Sequence, residues 1–184
     1  AVAIGGRTAG QVFEGDRRVF AVLRTAALTL RAHPAVNGIV SEQAVEHWAD
    51  VNLGVAVNSP VGVVVPVLMQ ADALGLGELE QRVSALAGNA RAGKLPPSAY
   101  QRGTFTVSTL GAAGIGWFTP VLNPPQIAIL GVGRVAERAV VIAGQVVARP
   151  MMTLTLVFDH RALDGHPAGI FLSALAQRLA AGDF

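Results

Sequence analysis

The apolar residues of this chain are gathered into short β-branched runs divided by turn residues, and that spacing constrains the fold more than any other feature. The longest runs, residues 61–69 and 151–158, fall well short of the ~20 residues a membrane-spanning helix needs. They read as strands. Residues 53–57 and 61–68 pair around the turn Asn58-Ser59-Pro60, and Pro66, with no N–H to give a ladder, marks an edge or a bulge. Further strands are expected at 104–108, 127–132, 139–143, 145–148 and 151–158, with Ala143-Gly144 as a hairpin turn.

Helical periodicity is confined to three places. Val19, Phe20, Leu23, Ala26, Ala27 and Leu30 recur at three- and four-residue spacing through 19–32, and His33-Pro34 ends the run. A second helix over 76–92 sets Leu79, Val83, Leu86 and Ala87 on one face and stops at Gly93, before a loop at 94–97. A third, over 167–179, closes the chain. Strands outnumber helices and much of the pairing runs through hairpins. The expected class is therefore α+β, a two-layer sandwich with helices covering one side of a mixed β-sheet. No repeat, low-complexity tract or linker divides the sequence, so residues 1–184 read as one domain.

Composition narrows the function. Hydrophobic residues make up 52% and charged residues 14%, against about 25% charged in a typical domain. So thin a polar surface points to buried subunit interfaces, with an unusually apolar monomer as the alternative. Despite a pI near 9.9, Lys+Arg number only 14 against 12 Asp+Glu, and no basic run appears. Neither nucleic acid nor a membrane is an expected partner. No charged start precedes an apolar region and a small-residue cleavage site, so a soluble, cytoplasmic protein is expected. With no cysteine, a cysteine nucleophile, a CxxC pair and thiolate metal sites are excluded. No metal is expected, and any thiol chemistry must use a substrate's thiol.

The four histidines are not equivalent. His33 precedes a proline at a helix end and His47 sits in a polar stretch beside Trp48, which are structural settings. His160 instead leaves the apolar strand 151–158 and enters the polar cluster Asp159-His160-Arg161, followed by Asp164-Gly165. Strand ends that meet loops are where rigid scaffolds present reactive groups. An imidazole, with an ordinary pKa near 6.5, can accept a proton at neutral pH once its tautomer is fixed. Asp164 is placed to buttress the turn, and Gly165 to take a backbone angle that a side chain resists. On spacing alone, a histidine held in a loop capped by Asp164 is an equal alternative.

His160-Arg161-Ala162-Leu163-Asp164-Gly165 resembles the HxxxDG signature of the acyltransferase components of 2-oxoacid dehydrogenase complexes, whose fold is shared with chloramphenicol acetyltransferase. Other motifs follow in that family's order. Gly103-Thr104-Phe105-Thr106-Val107-Ser108-Thr109-Leu110-Gly111 resembles its GTFTxSxLG strand. Phe118-Thr119-Pro120, Asn123-Pro124-Pro125-Gln126 and Ile129-Leu130-Gly131-Val132-Gly133 come next. Upstream, Val51-Asn52-Leu53-Gly54-Val55-Ala56-Val57 and Pro60-Val61-Gly62-Val63-Val64-Val65-Pro66-Val67 resemble its paired central strands, so the likeness runs from about Val19 to the C-terminus.

The resemblance implies direct acyl transfer between a dihydrolipoyl thiol and coenzyme A, both as substrates, with no acyl-enzyme. His160 would be the general base and Ser108 would stabilise the oxyanion, with Asp164 completing the catalytic set. It implies a homotrimer with serine and histidine on neighbouring subunits, and a larger cubic or icosahedral core. The implied partners are a lipoyl domain and the 2-oxoacid dehydrogenase and dihydrolipoyl dehydrogenase components. Ala1 to Arg18 lack a counterpart of the family's arginine-rich opening arm, and no lipoyl-lysine motif is present, so the acyl carrier is expected elsewhere. Two other functions stay open: a catalytically silent assembly core, and an acetyl-CoA-dependent O-acetyltransferase of a small molecule on the same fold. Choice among acetyl, succinyl and branched-chain groups rests on pocket volume, where one methylene is worth ~1–3 kcal/mol.

Overall fold

A computed structural model describes residues 2–3 and 17–184. The sequence reading of Ala1 to Arg18 falls almost wholly outside the described residues. Among the described residues three α-helices, α1 (Arg17–Ala32), α2 (Leu76–Arg91) and α3 (Gly165–Ala181), stand where the periodicity placed them. The central sheet has five strands: β4 (Leu53–Val55), β7 (Val67–Leu68), β8 (Phe105–Thr109), β9 (Ala128–Val132) and β12 (Leu154–Phe158). Their order is β12-β9-β8-β4-β7, with β9, β8 and β4 mutually parallel and both outer strands antiparallel. The α+β sandwich with a mixed sheet is what the strand-rich pattern foretold.

Alternation along each strand assigns the two faces. Phe105 and Val107 point with Leu53, Leu130 and Leu154 into the core shared with the helices. Helix α1 packs against both α2 and α3, so it is buried almost all round. Its two buried threonines meet their needs locally: the Thr25 hydroxyl donates to the Ala21 carbonyl at 2.8 Å and Thr29 to the Thr25 carbonyl at 2.7 Å. Phe105 and Phe171, both fully buried, join sheet to α3 with ring centroids 5.8 Å apart. Burying each such side chain contributes about 1.5–3 kcal/mol.

Several boundaries differ from the sequence reading, each because a pairing partner decides them. The run 53–57 divides at Ala56, whose N–H donates to the Val107 carbonyl while Val55 N–H reaches the Pro66 carbonyl. Beyond it, β5 (Val57–Ser59) and β6 (Gly62–Val64) form their own hairpin, turning at Pro60-Val61 and leaving Val61 exposed. Pro66 separates β6 from β7, which is an edge strand as its chemistry requires. Met151-Met152 belong not to β12 but to β11 (Gln145–Met152), which pairs with β10 (Ala136–Ile142) and with β1 (Val2–Ala3). The β10–β11 turn is the expected Ala143-Gly144, with φ of 50° and 79° as its geometry demands. A short hairpin of β2 (Gly38–Val40) and β3 (Val45–His47) escaped the sequence reading. It is held by long-range bonds, Ile127 N–H to the Gly38 carbonyl and Val40 N–H to the Pro125 carbonyl.

The parallel strands β8 and β9 are joined not by an α-helix but by the segment 110–127, irregular apart from a 3-10 turn at Gly111–Ala113. Phe118 and Pro120 of that segment lie on the sheet face opposite the helices, against Gly131. The helix-free face is thereby only partly roofed, and it is the face that carries Ser108. No helix among the described residues is long and apolar enough to cross a membrane.

Candidate active site

Ser108 sits near the end of β8 with its side chain on the helix-free face, in register with Gly131 of β9 and, through it, Thr155 of β12. It is half-buried, and among the described residues its hydroxyl has no hydrogen-bond partner. Two residues earlier on the same face, the buried Thr106 hydroxyl donates to Gln126 Oε1 at 2.5 Å and accepts from Asn123 Nδ2 at 3.4 Å. These bonds tie the Asn123-Pro124-Pro125-Gln126 segment down onto β8. A Cβ on Gly131 would stand 2.9 Å from Pro120 Cδ and 3.3 Å from Phe118 Cζ, so glycine is what admits this roof beside Ser108. The sequence reading singled out these motifs without assigning Thr106 or Gln126 a part; alternation along β8 would have placed Thr106 beside Ser108.

His160 follows β12, in the turn between Phe158 and α3. Its ring stacks at a tilt on Phe158, with centroids 5.0 Å apart. Its Nδ1 lies 3.7 Å from Asp164 Oδ1, an electrostatic contact longer than a hydrogen bond. Both side chains are exposed, at 74% and 87%. Asp164 is the N-cap residue of α3 but its side chain makes no capping bond, so the capped-loop alternative lacks its cap. Gly165 takes no special backbone angle either; it is the first residue of α3, with open space where a Cβ would stand.

What shapes this loop is Asp159. Its N–H donates to the Ile127 carbonyl at 2.9 Å, and its carbonyl accepts from Ala162 and Leu163 N–H at 3.0 and 3.1 Å. Its carboxylate accepts from the Arg161 side chain and backbone, with Nη2 at 2.6 Å from Oδ2. The hydrogen bonds from Arg161 hold the Asp159 carboxyl below the usual carboxylate range. Sequence reasoning grouped these residues with His160 but gave them no role.

The other histidines are structural or solvent-facing: His33 meets the Phe171 ring edge-on at 6.0 Å, His47 is exposed on β3, and His166 is exposed on α3. No group of three or more His, Cys, Asp or Glu among the described residues could hold a metal. Two cavities, of about 540 and 260 Å³, are lined by Thr109 and by α1 residues, on the helix side of β8 and away from Ser108.

One chain does not bring Ser108 and His160 together. Ser108 aligns with Thr155, whereas His160 lies past the far end of β12. Three strand residues from Thr155 to Phe158 already span about 10 Å before the turn begins. Asp164 accompanies His160.

Residues 19–183 match the family model described as 2-oxoacid dehydrogenases acyltransferase (catalytic domain). The chain is 42% identical over 154 residues to the dihydrolipoyllysine-residue acetyltransferase component of the acetoin cleaving system of Bacillus subtilis, covering 84% of this chain and 39% of that protein. It thus spans about two fifths of that curated relative. Among solved structures, Azotobacter vinelandii dihydrolipoamide acetyltransferase superposes with a TM-score of 0.85 at 35% identity, covering 88% of this chain and 68% of that one. That enzyme was studied crystallographically and enzymatically for the role of a serine, a histidine and an asparagine in its catalytic mechanism. The cubic core of a pyruvate dehydrogenase multienzyme complex matches with the same score, identity and coverage. A chloramphenicol acetyltransferase, at 14% identity and a TM-score of 0.51 over 89% of this chain and 76% of that one, shares the fold alone.

Proposed function

We propose, since this chain belongs to the family of 2-oxoacid dehydrogenase acyltransferase catalytic domains, that it transfers an acyl group between a dihydrolipoyl thiol and coenzyme A. The observation that carries the reading is one of spacing. The serine and histidine of the Azotobacter enzyme are 52 positions apart, with the asparagine four beyond; Ser108, His160 and Asp164 hold the same intervals. The last position differs, aspartate here for asparagine there, so its shared duty is one of bonding or polarity.

In the proposed reaction His160 takes the proton of the coenzyme A thiol. Free thiols have a pKa near 8.5, so a base is needed to give thiolate at neutral pH. Asp164 lies nearest Nδ1, which leaves Nε2 to face the thiol. The thiolate attacks the thioester carbonyl carbon, and negative charge gathers on its oxygen. The Ser108 hydroxyl, without a protein partner, donates to that oxygen. Collapse breaks the bond to the dihydrolipoyl sulfur, which recovers the proton from the imidazolium.

Because Ser108 and His160 lie at opposite ends of the sheet in one chain, a complete site draws them from two copies, and a closed trimer supplies three equivalent sites. Leu110, Ile115, Trp117 and Val121 support this, being exposed large hydrophobics on the segment that follows Ser108. The reading extends over residues 1–184 as one catalytic unit, placed in the cytoplasm and in a larger cubic or icosahedral core. Its partners would be a lipoyl domain and the 2-oxoacid dehydrogenase and dihydrolipoyl dehydrogenase components. The test is transfer from S-acetyl-dihydrolipoamide to coenzyme A: the protein supports it and His160→Ala abolishes it. Equal turnover by the two proteins would refute the reading.

A further inference from the structure

We propose that Asp159 and Arg161 are positioning residues for acyl transfer, their ion pair closing the loop around His160 so that the imidazole is presented at a fixed place. This rests on the reading of His160 as the base. The bonds already described leave Asp159 with both backbone groups and both carboxylate oxygens engaged. His160 itself has little to hold it: one ring contact with Phe158 and the 3.7 Å approach of Asp164. The residue between the two members of the clamp is thus the least tethered of the three. Its placement must come from the backbone on either side.

Isolated exposed ion pairs contribute little to stability. This pair differs in geometry. Arg161 donates Nε and Nη2 as a fork while its own backbone N–H bonds the same carboxylate, so side chain and main chain close one ring across His160. The Asp159 side chain is 16% exposed against 65% for Arg161, so the carboxylate is the sheltered partner and the guanidinium its cover. On one side the clamp is anchored to the sheet through the Ile127 carbonyl, and on the other to the core through Leu163, 4% exposed. A base set on such a frame stays within reach of the thiol; a base on a loose turn loses the near-attack geometry.

Charge enters as well. The ionisable groups around the ring are Asp164, Asp159 and Arg161, with Glu42 close enough to act on Arg161. While the pair is intact, Arg161 offsets the Asp159 charge seen by His160. Removing Arg161 leaves a bare carboxylate, which favours imidazolium, so the acid limb of the pH–rate profile moves to higher pH. Removing the Asp159 charge leaves the guanidinium, which disfavours imidazolium, and the limb moves to lower pH.

The experiment uses the full chain in its assembled form, with wild type, Asp159→Asn, Arg161→Gln, Arg161→Lys, the Asp159→Asn/Arg161→Gln double variant and His160→Ala. Steady-state transfer from S-acetyl-dihydrolipoamide to coenzyme A is followed against pH, alongside melting temperature and particle mass. The expected result is a loss of about 10- to 100-fold in kcat for Asp159→Asn and Arg161→Gln, with KM for coenzyme A within twofold. The double variant is no worse than either single one, because the pair acts as a unit. The two acid limbs move in opposite directions. Arg161→Lys restores the limb but not kcat, since an ammonium supplies charge without the fork. If both single variants keep kcat within twofold of wild type while His160→Ala is inactive, the pair is only a surface bridge and the proposal is overturned. A kcat loss that follows a fall in melting temperature or particle mass, with both limbs unmoved, overturns it equally. Turnover by His160→Ala would instead remove the reading on which the proposal stands.

Discussion

Replacing Ser108 by alanine removes one hydroxyl from the helix-free face of β8 and nothing else from the fold. Among the described residues that hydroxyl has no hydrogen-bond partner, so no internal bond, ordinarily worth about 0.5–1.5 kcal/mol, is lost. The neighbours Thr106, Gln126 and Asn123 keep their own network, and Gly131 keeps its roof. Stability should therefore change by no more than about 0.5 kcal/mol, or about 1–2 °C in melting temperature for a domain of this size. Turnover should change far more. A donor aimed at a developing oxyanion contributes about 2.7–4 kcal/mol in the transition state, a factor of about 10²–10³ in kcat. The bond matures only as charge develops, so KM for coenzyme A should hold within twofold. Steady-state transfer from S-acetyl-dihydrolipoamide to coenzyme A, with a thermal melt of the same sample, reads both numbers. A Ser108→Ala protein with kcat within threefold of wild type would show that the hydroxyl faces no oxyanion, and the two-copy site would lose one of its halves.

Other outcomes follow from the same geometry. His160→Ala should melt within about 2 °C of wild type while losing transfer, because its exposed side chain contributes little packing; differential scanning calorimetry checks the first half. In solution the full chain should have the mass of a trimer or a multiple of three by light scattering, and a monodisperse monomer or dimer would contradict a shared site. Gly133→Ala should be strongly destabilising, by about 2 kcal/mol or more, since its Cβ would run into the Gly116 carbonyl oxygen on the irregular segment; denaturant unfolding measures it, and an unchanged midpoint would refute that close approach.

Local chemistry alone was enough for much of this protein. Helices α1, α2 and α3 could be read from apolar spacing because each buries apolar side chains against its neighbours, a demand that repeats every three to four residues. The Ala143-Gly144 turn was legible because two positive φ angles in succession leave few sequence choices. His160 stood out because a largely apolar strand gives way at once to charge. Thr106 was missed because a threonine in a strand is ordinary until its partner, Gln126, arrives from the far side of an irregular connection. Strand limits around Ala56 and Thr153 were equally invisible, unlike the break that Pro66 announced, since which segment supplies the next carbonyl is a matter of register and not of composition. The placement of Ser108 and His160 at opposite ends of the sheet was likewise decided by tertiary structure alone: it follows from β8 running parallel to β9 and β12 antiparallel to it, and which segments pair, and in what register, depends on partners far away in the sequence.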